Sequence, residues 1–435
     1  MFRRLMQYSC LSSLALISLW GEPPPVENAG PPASSGRVQF GAEFRGRLEL
    51  PAALDFTDGK DDQFYLHRIR LWAGLEVFPW MRLHIEGQDA RTLGYDDPDG
   101  LSSVVHRLDF RQLNVNLGNS RRGSSLTLGR QELAFGEERL IGADNYWDPL
   151  GMTFDAVRFT RVLPAFRIDA FSALVVPCAL RGMAAPSLQD QLYGVYASSS
   201  KGYRGAVMET YLLAKRNPSR DEGLSHFTEN RIFTYGGRTA GQFGEPFEYN
   251  VEMALQSGHR DDQAIRAWMG HWEIGLRPLR GERAPRFSAE YNFASGDHHA
   301  GDRHYNTFDD LYPAGYNKFG MADPFAGRNL RGIGGSAEWR LSRRWLLAGS
   351  YRAFWLASIS DGLYIKGDDV LTLNPRATSD HVGDQATLLA AWTLSENWQV
   401  YGGYARFFPG SFLADSHFYG HLSTPYLMLN YKFAR

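Results

Sequence analysis

From Arg37 to the end of the chain, apolar and polar residues alternate with a period of two rather than 3.6. The segment from Val38 to Leu50 shows this clearly: its even positions are Val, Phe, Ala, Gly and Leu, and its odd positions are mostly Gln, Glu and Arg. The alternation recurs at 67–77, 247–255 and 345–355. A period of two places successive side chains on opposite faces of a β-strand. The chain is therefore predicted to be all-β, built from long strands with one apolar and one charged face.

About eighteen segments have this pattern, an even number that lets both termini of an antiparallel barrel end on one side. They lie near residues 37–50, 64–78, 81–91, 107–117, 124–133, 154–163, 165–176, 189–199, 204–214, 230–241, 247–257, 265–277, 285–295, 328–341, 344–357, 383–394, 397–408 and 424–433.

The links between these segments alternate in length. The odd-to-even links are long, with one short exception near 258–264, and the even-to-odd links are tight turns such as Pro79-Trp80, Ser342-Arg343 and Ser395-Glu396. Long extracellular loops alternating with short periplasmic turns are typical of an outer-membrane barrel, whereas a soluble sandwich has no reason to alternate strictly.

Tryptophans support the same fold, because five of them lie within a few residues of the short turns: Trp80, Trp339, Trp345, Trp392 and Trp398. Indole favours the membrane–water interface. After the first 30 residues no run of 18 apolar residues exists, so no transmembrane helix is expected. We predict a transmembrane antiparallel β-barrel of the outer-membrane type, with about 18 strands, occupying residues 37–435.

The N-terminus predicts export. Arg3 and Arg4 precede an apolar stretch too short to span a bilayer, so residues 1–21 are interpreted as a signal peptide. Residues 22–36 are rich in Pro, Gly and Ser and are interpreted as a flexible segment. Cys10 lies in the leader, which leaves Cys178 alone in the mature chain and excludes a disulfide framework. The expected location is the bacterial outer membrane.

The formal charge of -2 argues against a nucleic-acid partner. Only six of the 46 basic residues are lysines, and the rest are arginines, whose planar fork grips carboxylates at two points. GC-rich codon usage explains such a bias equally well. By alternation the lumen receives these charged residues: Arg45, Arg47, Arg68, Arg70, Arg82, Arg352, Glu43, Glu49, Glu76, Glu86 and Glu252. Arg111, Arg130 and Arg158 lie where the alternation shifts, so a β-bulge is expected nearby.

Other motifs carry less weight. The acidic turn 96–100 and the group Asp297, His298, His299, Asp302 and His304 could bind divalent cations, but solvated loops explain both better. A barrel-wall hydrolase would need an aligned serine and histidine, and His67 and His84 have no serine in register. No enzymatic activity, metal or cofactor is expected.

Three segments resemble the alginate export family of outer-membrane proteins: LTLGRQELAFGEERLIGADNYWDPLGMTFDAVRF at 126–159, FASGD followed by TFDDLYP within 293–330, and GYARFFPGSFL near the end. The resemblance runs from about Val38 to Phe433. It implies a monomeric eighteen-stranded barrel that passes an anionic polysaccharide through an arginine-rich constriction.

Carried onto matching positions, the resemblance makes Arg130, Asp155 and Arg158 candidates for that constriction, together with Arg45, Arg47, Arg68 and Arg111 on the wall. The exporter that it resembles has a long periplasmic loop that plugs the pore before the last strands. Here that connection is only Ser395-Glu396-Asn397.

The expected function is an outer-membrane channel for an anionic polysaccharide such as alginate, with a lumen that attracts polyanions and interspersed acids that keep binding weak. A porin for acidic sugars or other small anions is the alternative. Expected partners are the solute, outer-membrane lipid and periplasmic export components.

Overall fold

The computed structural model describes residues 37–95, 104–119, 123–143, 150–178, 182–199, 206–220, 227–281, 283–299, 301–314, 318–322, 324–366 and 369–435. The predicted signal peptide, the flexible segment at 22–36 and the acidic turn at 96–100 lie outside the described residues.

Within the described residues, eighteen antiparallel strands form a closed barrel, as predicted. Each strand pairs with its neighbours in chain order, and the last strand pairs with the first from Gly41–Ala434 to Glu49–Tyr426. The barrel strands are β1 (Val38–Glu49), β2 (Phe64–Phe78), β3 (Met81–Leu93), β4 (His106–Gly118), β5 (Ser124–Gln131), β6 (Thr153–Val162), β7 (Phe166–Val176), β8 (Gln191–Ser199), β9 (Val207–Arg220), β10 (Phe227–Gln242), β11 (Phe247–Arg260), β12 (Gln263–Leu276), β13 (Arg286–Ala294), β15 (Leu330–Arg340), β16 (Trp345–Leu356), β19 (His381–Thr393), β20 (Trp398–Pro409) and β21 (Ser423–Ala434).

The remaining elements lie in the long links. These are a 3-10 turn (Leu54–Phe56), the short strand β14 (His304–Tyr305), the hairpin of β17 (Leu363–Lys366) and β18 (Asp369–Thr372), and the helix α1 (Ser411–Asp415). None of the described helices is long and apolar enough to cross a membrane. Local sequence patterns did not predict these elements, because each is too short to show a period.

The predicted strands agree with the observed ones to within a few residues, except at β9 and β10. The sequence predicts a loop over 215–229, but the β9–β10 ladder continues up to the pair Arg220–Phe227. The turn signals in Asn217, Pro218 and Ser219 are overridden by this cross-strand pairing. Pro218 is tolerated because it lies beyond Arg216, the last β9 residue paired with β8, where a missing N–H disrupts only one ladder.

The outward face is apolar along the strands and aromatic near the short turns. Leu71, Val157 and Leu388 are more than half exposed, as expected of side chains that contact lipid. The five tryptophans predicted to lie near the short turns are all exposed, and the rings of Trp345 and Trp392 stack with centroids 5.1 Å apart. Because they are exposed, these tryptophans form the interfacial girdle predicted from the sequence and are not scattered core residues.

At the opposite end, four long links share a largely aromatic core, to which the β16–β19 link contributes Leu363. Phe56 from the β1–β2 link, Phe325 from the β13–β15 link and Phe412 from α1 are buried against Phe354 and Phe407 of the wall. The Phe325 ring lies 5.8 Å from that of Phe56 and 5.3 Å from that of Phe407. Each buried aromatic side chain stabilises this packing by roughly 1.5–3 kcal/mol, so the links cover this part of the barrel end as one packed unit.

Cys178 tests the orientation of the barrel. It is exposed and lies in the long β7–β8 link, so a membrane-impermeant maleimide added to whole cells should label it. In a Cys178→Ser background, Glu396→Cys in the short β19–β20 turn should react only after permeabilisation. Labelling on whole cells at position 396 of that variant, without labelling of Cys178 in the wild type, would invert the orientation.

Candidate functional site: the barrel lumen

Two long links fold into the barrel. We call them loop A (132–152, between β5 and β6) and loop B (295–329, between β13 and β15). They meet in a parallel bridge, in which the Gly142 amide donates to the Tyr312 carbonyl at 2.9 Å and the Tyr312 amide donates to the Leu140 carbonyl at 2.9 Å. The joined segments, 133–143 and 305–314, form a crossbar inside the lumen.

The crossbar is held by apolar packing against one side of the wall. Leu133, Ile141 and Phe308 are at most 2% exposed and pack against inward side chains such as Phe154 and Leu192. Strands that face a water-filled lumen carry polar residues on their inward side. The inward side of β6 to β12 is apolar, which identifies these strands as the part of the wall that contacts the crossbar.

The inward faces of β1 to β4 and β21, together with Glu132 at the start of loop A, form a second region, which we call the basic wall. Its cations are Arg45, Arg47, Arg68, Arg70, Arg111 and Lys432, and the carboxylates that pair with them are Glu43, Glu49, Glu86 and Glu132. These six cations face four carboxylates, and the inward pair of Arg82 and Glu76 adds one charge of each sign, so positive charge is in excess on this side of the lumen.

Glu43 is the centre of the basic wall. It pairs with Arg68, lies 3.6 Å from Arg45 and lies 3.4 Å from the Lys432 ammonium group. The side chain of Lys432 is 43% exposed, whereas Arg45 and Arg68 are almost completely covered. Lys432 is therefore the cation of this cluster that is most accessible to a solute in the lumen.

Arg70 and Arg111 attach loop A to the basic wall. Together with Gln88 they donate to the Leu150 carbonyl, at 3.5, 2.5 and 3.0 Å, and Arg111 also reaches the Ala143 carbonyl at 3.3 Å. Arg111 points inward because β4 contains an irregularity opposite Glu86, the bulge predicted near this residue. Gly151 (φ +67°) passes so close to the Arg111 guanidinium that a Cβ there would lie 2.6 Å from it.

The opposite side of the lumen, from β9 to β16, carries an excess of acids and is called the acidic wall. Its carboxylates are Glu137, Glu209, Glu248, Glu252, Glu273, Glu290 and Glu338, and its arginines are Arg139, Arg238, Arg277, Arg286 and Arg352. Two of these residues, Glu137 and Arg139, belong to loop A. The sequence prediction assigned only Glu252 and Arg352 of this wall to the lumen, because its acids are distributed singly over many strands.

Two buried carboxylates in the loops stay ionised because of their partners. Burial acts to raise the pKa of Glu137, but the guanidinium groups of Arg238 and Arg139 outweigh it and hold the pKa well below its usual value. The same balance lowers the pKa of Asp309, where Arg328 (3.0 Å) and Lys215 (3.0 Å) outweigh burial. Asp309 therefore fixes loop B to β9 through an ion pair.

Comparison with known proteins places this geometry in a family. A family model for alginate export matches residues 37–418. The chain belongs to the alginate export family. This confirms the resemblance drawn from the sequence. No curated protein sequence is significantly similar to the chain.

Solved structures of similar fold are outer-membrane porins. The structure of opdK from Pseudomonas aeruginosa has a TM-score of 0.62 and 10% identity, with 92% of this chain and 99% of that chain covered. OccD3 (OpdP) from the same organism has a TM-score of 0.60 and 12% identity, with 91% of each chain covered. OccAB4 from Acinetobacter baumannii has a TM-score of 0.60 and 9% identity, with 93% and 100% covered. At such identities the likeness concerns the fold. Together with the family match, it identifies the protein as a channel of the bacterial outer membrane.

Two residues expected in the constriction of this alginate export family channel are not on its inward face. Arg130 and Asp155 pair with each other (2.8 Å) on the face of β5 and β6 that also carries the exposed Val157. The β4–β5 ladder ends at the pair Leu113–Arg130, so the part of the β4 edge that precedes Leu113 lacks β5 as a partner. Arg130 donates to the Phe110 carbonyl on this edge and to the Ala184 carbonyl of the β7–β8 link, and it thereby closes the seam.

The other predicted pore residues lie on the inward face. Arg158 pairs with Asp169 at 2.9 Å and lies over the ring of Phe135 in loop A, and Arg352 pairs with Glu290 at 2.5 Å. Every one of the predicted inward arginines thus has a partner in the wall or a loop, which the alternation alone did not reveal.

The candidate metal group is dispersed. The Asp297 carboxylate accepts from Asn306, and His304 lies 3.8 Å from Asp302. Within the described ranges, no three His, Cys, Asp or Glu side chains converge in a way that could hold a metal ion.

Arg111→Leu should loosen loop A. The change removes two donors to loop carbonyls and the ion pair with Glu132, and charged hydrogen bonds contribute about 1.5–3 kcal/mol each. We expect larger single-channel conductance and more frequent current fluctuations. The control is Arg82→Leu, because Arg82 faces inward but, among the described residues, forms an ion pair only with Glu76 of the neighbouring strand. Equal currents in both variants would contradict the attachment.

Asp309→Asn should release loop B at neutral pH, because breaking a buried ion pair costs about 3–5 kcal/mol. In the wild type the pKa of Asp309 is depressed, so the ionised carboxylate stabilises the loop fully at any pH above the ordinary aspartate pKa. This stabilisation is lost as the pH falls below the ordinary value and through the depressed pKa of the folded state. Current fluctuations recorded from pH 7 to pH 3 should therefore increase only at the acid end in the wild type. The Asn variant should fluctuate throughout, and an unchanged acid response in that variant would refute the ion-pair role.

Proposed function

We propose that this channel passes an anionic polysaccharide of uronate units, such as alginate, along its basic wall. The observation that carries the proposal is the excess of six cations over four carboxylates on β1 to β4, β21 and the start of loop A, opposite a wall with excess acid. Such a transverse separation of charge draws an anionic chain to one side of the lumen. The guanidinium group suits this role because it matches the carboxylate of each sugar unit at two points.

The acids within the basic wall fit transport rather than tight binding. Glu43 lies among Arg45, Arg68 and Lys432, so part of the positive charge is neutralised before a solute arrives. Conduction requires several weak sites from which the solute can leave again. A wall of unpaired arginines would bind a polyanion at many points at once and hold it in place.

A porin for small acidic solutes is the second candidate. The observation that favours it is the crossbar, because loops A and B occupy part of the cross-section that a polymer would need. The two functions differ in how the current through the channel depends on solute length. A uronate dimer and a long uronate chain should both reduce the current of a polysaccharide channel, whereas only the dimer should enter a small-solute porin.

Catalysis on the barrel wall has less support. The inward His84 lies 3.8 Å from Glu86, but no serine hydroxyl in the described part of the chain is hydrogen-bonded to a histidine ring. A Ser–His nucleophile needs that contact.

Selectivity in planar bilayers tests the basic wall. The wild type should be anion-selective, and Arg68→Gln with Lys432→Gln should shift the reversal potential towards neutral. Opposite charges at ~4 Å attract by about 1 kcal/mol in water and more in a confined passage, so relative permeation should change by roughly tenfold.

Two matched variants sharpen this test. Arg130→Gln removes one positive charge from the outward face and should leave selectivity unchanged. Glu43→Gln should have the opposite sign and increase anion selectivity. A cation-selective wild type, or equal effects of Arg130→Gln and the lumen variant, would refute the basic wall as the source of selectivity.

A further inference from the structure

The two ends of the barrel carry opposite charge. Counted along the sequence, the long links other than loops A and B contain 17 Asp and Glu against 4 Lys and Arg. The short turns contain 9 Lys and Arg against 3 Asp and Glu. At an ionic strength of 0.1 M the Debye length is about 10 Å, so each end acts only on solutes close to it. The short-turn end therefore attracts anions and the long-link end repels them.

The positive charge at the short-turn end is concentrated in two neighbouring turns. The β12–β13 turn (277–285) and the β15–β16 turn (341–344) border a cavity of about 540 Å³. Its arginines, which we call the arginine rim, are Arg280, Arg283, Arg340 and Arg343.

The arginine rim differs from the lumen in its pairing. Arg280 pairs with Glu245 at 2.6 Å, and both side chains are strongly exposed. Arg283, Arg340 and Arg343 have no acid within ion-pair distance in the described part of the chain, whereas the cations of the basic wall all pair with carboxylates. Like charges that share a cavity repel one another, and an anion in the cavity removes that repulsion.

The position of Arg340 shows where the cavity opens. Arg340 and Trp339 are adjacent on β15, so their side chains point to opposite faces. Trp339 is 53% exposed on the outward, lipid-facing side, and Glu338, on the same face as Arg340, is buried in the lumen. The cavity therefore has a wall on the aqueous mouth of the channel, on the inner side of the tryptophan girdle. This favours a solute at the mouth over a lipid headgroup.

We propose that the arginine rim is a docking site for the carboxylates of the anionic chain at the short-turn, periplasmic mouth, where an exported chain has to enter. This inference rests on the proposed function and adds to it a set of residues. The rim captures the chain first, and the basic wall deeper in the lumen receives it. The acidic long links disfavour loading from the outside.

Sided block of single channels by uronate oligomers is the test. The orientation of each inserted channel is assigned from the reaction of Cys178 with a bulky maleimide. Oligomers added on the short-turn side should block at an on-rate at least tenfold higher than from the long-link side at 0.1 M salt. At 1 M salt, where the Debye length is about 3 Å, the difference should largely disappear.

Two quadruple variants identify the residues. Changing Arg280, Arg283, Arg340 and Arg343 to Ser should abolish the sidedness of the block. The single-channel conductance of this variant at 1 M salt, where charges at the mouth are screened, should match the wild type and so show that the barrel is intact. Changing the same four to Lys should keep the on-rate but shorten each block, because lysine lacks the two-point fork.

The outcomes are distinguishable. If oligomers block from neither side, the proposed function itself fails. If they block equally from both sides, or if the Ser variant keeps the sidedness, the rim inference fails and the function stands. If the sidedness exists only in bilayers with anionic phospholipid, the rim binds lipid headgroups and the inference is overturned.

Discussion

The structure depends on one requirement, that every backbone N–H and C=O within a bilayer must find a partner in the protein. Pairing of β1 with β21 satisfies it by removing both edges of the sheet. Once the sheet is closed, alternation sends one side chain to lipid and the next to the lumen. The apolar outward face, the tryptophan girdle and the charged interior all follow from this closure.

The same requirement governs the interior. Charges inside a barrel that is partly filled by loops lose water, and an unpaired buried charge is expensive. Arginines and glutamates therefore occur together, as in Arg47 with Glu49 and Arg352 with Glu290. A solute responds to the local excess of positive or negative charge. The crossbar determines where a solute can contact that excess charge, because it packs on one wall and is hydrogen-bonded to the other through Arg70 and Arg111.

Local sequence patterns were sufficient to predict the barrel, because the period of the strands, the length of the links and the positions of the tryptophans each depend only on a strand and its nearest neighbour. They were also sufficient for the inward facing of Arg45, Arg68 and Arg352. They failed where distant segments decide the outcome. The bridge between Ile141 and Tyr312 joins loops with no shared pattern. Arg130 was assigned to the lumen by family resemblance, but strand pairing turns it outward, where it closes a seam that depends on the unequal lengths of β4 and β5.

Closure of the barrel has a consequence for how the molecule is made. Arg45 on the first strand and Asn430 on the last are hydrogen-bonded although 385 positions separate them. Contacts of such sequence separation form slowly, because the chain between them must be ordered first. Until the last strand arrives, β1 exposes an unpaired edge that would pair with any other extended chain. A chain with this topology must therefore be kept apart from its copies during secretion and delivered to the membrane whole, since β1 meets its partner only when β21, the last strand, is present.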